Sequence, residues 1–150
     1  MNRSILGGVL LVAVVATGCN MAATPATSPS PPPSPTVTSD VEAGQPTIYT
    51  VAFASGKTVE TYIDPGSGTS LLHVTYFDAL GNEMPISTMN GSVQSPDGTN
   101  APLTLTLLEP GHFVASTTKE VGTYKLTASA TAPDGEAIAF TLDLVVPQDQ

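Results

Sequence analysis

The chain has 150 residues, a formal net charge of -9 and only four basic side chains, Arg3, Lys57, Lys119 and Lys125. Four scattered cations make no stripe for a phosphate backbone, which excludes nucleic acid as a partner, and the acidic balance excludes adhesion to anionic lipid by charge. A single cysteine and the absence of tryptophan exclude a disulfide framework or a CxxC site, and leave the core to Val, Ile, Leu, Ala and a few Tyr and Phe.

The chain opens with Met1-Asn2-Arg3-Ser4, a polar start with one positive charge, followed by an apolar run from Ile5 to Ala16. A helix needs about 20 apolar residues to span a hydrocarbon core, so this run is too short. Its basic flank and the small residues after it match a secretory signal. The last four residues, Ala16-Thr17-Gly18-Cys19, resemble the lipobox of bacterial lipoproteins, with Ala16 where Leu is commoner. The resemblance implies that residues 1–18 are a signal peptide and that Cys19 is lipidated and becomes the mature N-terminus. It also implies an extracytoplasmic protein, attached to a bacterial membrane through that lipid. The alternatives are an ordinary signal peptide with an incidental cysteine, or an uncleaved anchor. Each buried CH₂ of an acyl chain contributes ~0.8 kcal/mol, so two or three chains on one residue hold a protein at a membrane stably.

From Asn20 to about Gln45 the composition turns to Pro, Ser, Thr and Ala, as in "ATPATSPSPPPSPTVTSD". No large side chain there can offset the entropy of ordering, so residues 19–45 are expected to be a disordered linker, extended by its prolines. An O-glycosylated stalk has the same composition.

Residues 46–147 have the texture of an all-β domain, with 148–150 as a tail. Short runs of Val, Thr, Ile, Leu, Tyr and Phe alternate with Gly, Pro, Asp and Asn. Strands are expected at Ile48–Ala54, Thr58–Ile63, Ser70–Phe77, Ile86–Gln94, Leu103–Leu108, Phe113–Thr117, Gly122–Ala130 and Ala137–Val146. Leu72, Val74 and Tyr76 alternate on one face. So do Leu103, Leu105 and Leu107, then Tyr124, Leu126 and Ala128, and finally Ile138, Phe140, Leu142 and Leu144. "SPDGTN" and "APDGEA" each place Pro-Asp-Gly between apolar runs, the pattern of a type I turn with a bulge. Seven to eight strands over this length predict an immunoglobulin-like two-sheet β-sandwich, without the Cys…Trp…Cys signature of antibody domains.

The stretches "GTSLLHVTYFDALGNEMP" and "PGHFVASTTKEVGTYKLTASA" carry an Asp-x-x-Gly turn and two Gly-x-aromatic units, Gly111-His112-Phe113 and Gly122-Thr123-Tyr124. In this they resemble small extracytoplasmic domains of the YtkA/FixH type, found near bacterial copper-handling proteins. The resemblance spans roughly residues 65–146, and what it shares is mostly sandwich geometry. It implies copper as a candidate cofactor and directs attention to His73, Met84, Met89 and His112, since imidazole and thioether suit copper. Against an easy site, Met84 and Met89 are an odd number of residues apart and would face opposite ways on a regular strand. His73 alternates with Leu72 and Val74 and is expected to face outward.

No other chemistry stands out. There are two histidines and no Gly-x-Ser-x-Gly elbow, so no hydrolytic triad is indicated. Gly66-Ser67-Gly68-Thr69 lacks the Lys and the following helix of a phosphate loop. The expectation is a non-enzymatic, membrane-anchored binding or accessory domain with an envelope protein as partner. A copper-binding or copper-delivery accessory is the alternative.

Overall fold

The computed structural model describes residues 33–42, 45–64, 70–117 and 121–146. The expected signal peptide, Cys19, most of the expected linker, the Gly66–Gly68 loop and the expected tail lie outside these residues. Among the described residues there are ten strands and no helix. They are β1 Thr36–Asp40, β2 Ile48–Ala52, β3 Thr58–Asp64, β4 Ser70–Phe77, β5 Met89–Gln94, β6 Asn100–Pro102, β7 Leu105–Glu109, β8 His112–Thr117, β9 Gly122–Thr131 and β10 Ala137–Val146.

The strands form two antiparallel sheets, one ordered β1-β2-β3-β4-β8-β7 and the other β10-β9-β5-β6. Within the first, β3-β4-β8-β7 repeats the A-B-E-D order of immunoglobulin-like domains. In the second, β10-β9-β5 repeats G-F-C, with β6 beside β5 where variable-type domains add C′. The fold class read from the sequence is therefore correct, with ten strands in place of seven or eight. The two extra strands differ in kind. β1 lies inside the segment assigned to the linker, so the sandwich begins soon after Pro35. β6 is only three residues long. All side chains of both are exposed. Neither strand has a buried face, so neither leaves the alternation by which strands are recognised.

The core lies between the sheets. Val51, Val59, Leu72, Val74, Tyr76 and Phe113 come from the first sheet, and Tyr124, Leu126, Ile138, Phe140, Leu142 and Leu144 from the second. Strand β10 alternates exposed and buried positions along nearly its whole length. Each such side chain contributes about 1.5–3 kcal/mol when fully buried. Tyr124 is buried at the start of β9, the position that the tyrosine corner occupies in strand F of immunoglobulin-like domains.

Both Pro-Asp-Gly turns are built as the sequence predicts. The Ser95 N–H donates to the Thr99 carbonyl at 2.8 Å and the Gly98 N–H to the Ser95 carbonyl at 2.9 Å. The same two bonds, both 2.9 Å, join Ala132 to Glu136 and Gly135 to Ala132. The turns Phe53–Lys57 and Asp78–Asn82 repeat the pattern without proline. Asp78 in addition accepts the backbone N–H groups of Leu80 and Asn82, which hold its carboxyl below the usual carboxylate range, together with the Asn82 side chain.

Two long-range polar links tie the layers. The Lys57 ammonium, in the β2–β3 turn, sits 2.6 Å from both Asp134 and Glu136 in the β9–β10 turn. The Val145 N–H on β10 donates to the Tyr49 hydroxyl of β2 at 3.0 Å. This bond covers one donor on an edge strand of the second sheet.

Among the described residues, one buried side-chain oxygen is orphaned. Thr61 is fully buried in β3, and its hydroxyl has no hydrogen-bond partner. Leaving such a group unpaired costs about 1–3 kcal/mol, and valine keeps the side-chain shape. Thr61→Val is therefore expected to raise unfolding stability by about 1 kcal/mol, read as a higher urea midpoint at unchanged slope. A lowered midpoint would mean that the hydroxyl is satisfied in solution.

Candidate functional site

The outer face of the six-stranded sheet is set by strand alternation. In β4, Leu72, Val74 and Tyr76 enter the core, so Leu71, His73, Thr75 and Phe77 point the other way. In β8, Phe113 and Ala115 are buried opposite Val74 and Leu72, which leaves His112 and Val114 on the outer side opposite Thr75 and His73. His73 and His112 are thus diagonal neighbours on one face, a spacing long side chains can bridge. His73 Nδ1 lies 2.9 Å from His112 Nε2. One ring nitrogen donates and the other accepts, so a single proton joins the pair.

Two further side chains frame the histidines. Tyr62 of β3 pairs directly with His73 in the sheet register, and its ring stacks on the imidazole at 4.5 Å with 4° between the planes. Glu109, across the Pro110-Gly111 turn, places a carboxylate oxygen 3.6 Å from His112 Nδ1. Burial and the neighbouring His112 lower the pKa of His73, and Asp64 opposes them. Burial, with the charges of Asp64 and Glu60, raises that of Tyr62. A groove lined by Asp40, Glu42, Tyr62 and Asp64 adjoins this face and adds negative potential to it.

The structure thus brings together two of the four residues singled out for a metal and separates the other two from them. His73 faces outward as predicted. Met84 and Met89 are both buried in the core between the sheets, 3% and 9% exposed. The Met89 sulfur accepts the Tyr76 hydroxyl at 3.7 Å. The odd spacing of the methionines does not send them to opposite faces, because Met84 lies outside any strand. There the Met84 N–H donates to the Tyr76 carbonyl at 2.9 Å and the Ile86 N–H folds back to Met84 at 2.7 Å. A copper site using both thioethers with both imidazoles is therefore not formed. Among the described residues, no three His, Cys, Asp or Glu side chains gather as a ready cation site.

Tyr62 and Glu109 were not picked out from the sequence. The alternation Glu60, Tyr62, Asp64 marks their common face, but only the β3–β4 register sets Tyr62 against His73. For Glu109 the signal is local, in "EPGH", where a turn brings residues three apart together.

No protein-family profile and no curated protein matches the chain. It is similar in structure to a DUF4785 family protein from Legionella pneumophila subsp. pneumophila strain Philadelphia 1, at 15% identity and a TM-score of 0.48. The match covers 63% of this chain and 29% of that one, so the chain spans less than a third of that protein's length.

Proposed function

We propose that this chain is a lipid-anchored protein of a bacterial envelope, whose extracytoplasmic sandwich works by binding and not by catalysis. The observation that carries the anchor is the tetrapeptide Ala16-Thr17-Gly18-Cys19, which closes an apolar run with the only thiol in the chain. The resemblance to YtkA/FixH-type domains agrees with that address. Loss of residues 1–18 removes Arg3 and leaves three basic residues against thirteen acidic ones, so the exported part is more acidic still. Support for binding comes from the outer sheet face, where Tyr62, His73 and His112 are held on paired strands. Such a surface suits a partner in the envelope. A copper accessory is the second reading, favoured by the contact between the two imidazoles alone.

Radioactive fatty acid fed to a bacterial host expressing the full chain tests the anchor. The wild type is expected to be labelled and Cys19→Ala to carry none. Equal labelling of the two overturns the lipoprotein reading.

A further inference from the structure

We propose that His73 and His112 form a two-imidazole site for a divalent first-row cation, copper(II) above the others, on the outer face of the six-stranded sheet. The site deepens, and rests on, the reading of that face as the binding surface of an exported domain. The methionines take no part.

Spacing is the first argument. Two nitrogens bound to one ion at about 2.0–2.1 Å lie about 2.9 Å apart when cis in a square arrangement, and about 3.4 Å apart in a tetrahedral one. His73 Nδ1 and His112 Nε2 are 2.9 Å apart. Square-planar and tetragonal sites of nitrogen and oxygen are those of copper(II), which also heads the affinity order of the divalent series.

Ring orientation is the second. Metal-bound histidines commonly donate their other N–H to a carboxylate, which fixes the tautomer and raises ligand basicity. Glu109 stands at that place, 3.6 Å from His112 Nδ1, on the nitrogen away from His73. It favours the proton on Nδ1 and leaves the Nε2 lone pair on the side of His73. Tyr62, stacked at 4.5 Å, holds the His73 ring in its plane. With the His112 proton on Nδ1, His73 Nδ1–H is the donor to His112 Nε2 in the free protein. When the ion enters, that proton passes to His73 Nε2, both lone pairs turn to the metal, and no redox step is involved.

Donor type is the third. With both thioethers in the core, the donors on this face are nitrogen and oxygen, which suit a divalent ion over copper(I). Asp64 and Glu60 share the outward face of β3, and the chain is strongly acidic, so cations are drawn to the surface. Two protein ligands leave the other positions to water or to a group from a partner. An ion held this way exchanges readily, as handing it on requires.

The test uses the full chain in detergent with Cys19→Ala, which removes the competing thiol, stripped with chelator and titrated with copper(II). One equivalent should bind, with an electron paramagnetic resonance spectrum showing coupling to two imidazole nitrogens. His73→Ala and His112→Ala should each abolish that signal while the circular dichroism of the fold persists. Glu109→Gln should weaken binding about 10-fold, the usual cost of losing an orienting carboxylate. Met84→Leu and Met89→Leu should leave affinity unchanged. Absence of one-to-one binding tighter than micromolar overturns the site, as does a two-nitrogen signal that survives both histidine variants. Neither result bears on fatty-acid labelling, so failure of the metal site and failure of the anchor are read separately.

Discussion

Gly111→Ala is expected to destabilise the domain by about 3 kcal/mol or more, one of the largest effects available to a single methyl group here. Gly111 has φ +93°, in the region L side chains rarely adopt. An added Cβ would also stand 2.2 Å from the Met84 carbonyl oxygen. That oxygen cannot retreat, because the surrounding backbone is laced together. The Gly111 N–H donates to the Ile86 carbonyl at 2.9 Å, and the Tyr76 N–H to the Gly111 carbonyl at 3.0 Å. Gly81→Ala is the control. Its φ is +83° with nothing within 4 Å of the new Cβ, so only the backbone cost of about 1–2 kcal/mol applies. Urea unfolding of the two variants should separate them clearly, and equal losses would refute the steric argument. Because His112 follows Gly111 directly, the same substitution should also disturb the His73 contact.

Tyr76→Ala is expected to cost about 4 kcal/mol, and Tyr76→Phe less than about 1 kcal/mol. Tyr76 is fully buried and meets Phe113 edge-on at 6.1 Å between ring centres. Truncation leaves a ring-sized cavity in the middle of the core. Phenylalanine keeps that volume and gives up only the bond from the hydroxyl to the Met89 sulfur, a weak acceptor at 3.7 Å. Burial also pushes the pKa of this phenol up, so the neutral form is the one packed here. Against a typical total of about 5–15 kcal/mol, the alanine variant should be largely unfolded in modest urea. A phenylalanine variant equally weak would shift the weight from packing to the sulfur bond.

Much of the fold was legible because the long inner strands bury one face. The alternation of Tyr124, Leu126 and Ala128 and of Ile138 through Leu144 matches the observed burial position by position. The Pro-Asp-Gly turns were legible because their chemistry is local. Strand β1 was not, since "TVTSD" has no buried side chain and follows directly on the proline-rich run. Strand β5 starts at Met89 and not at Ile86, because the backbone from Met84 to Ile86 is held by irregular bonds that no periodicity announces. For the site, outward orientation of His73 followed from its neighbours. Its meeting with His112 did not. The two are 39 residues apart and meet only through the β4–β8 register, which depends on the whole sandwich closing. Met84 and Met89, named as candidate ligands, lie in the core, and hydropathy and spacing alone do not tell a core thioether from an exposed one.

Strand β1 has a mechanical consequence. It is the first described strand after the proline-rich stretch, and it is joined to the sandwich by its pairing with β2, with every side chain outside the core. A chain pulled from its N-terminal side would load this strand first. Peeling β1 away breaks five residues of pairing and releases about 17 Å of chain at ~3.3 Å per residue, while the A-B-E-D strands and the core stay intact. Under the proposed anchor at Cys19, that strand would be a short reserve of slack, drawn on before tension reaches the histidine face.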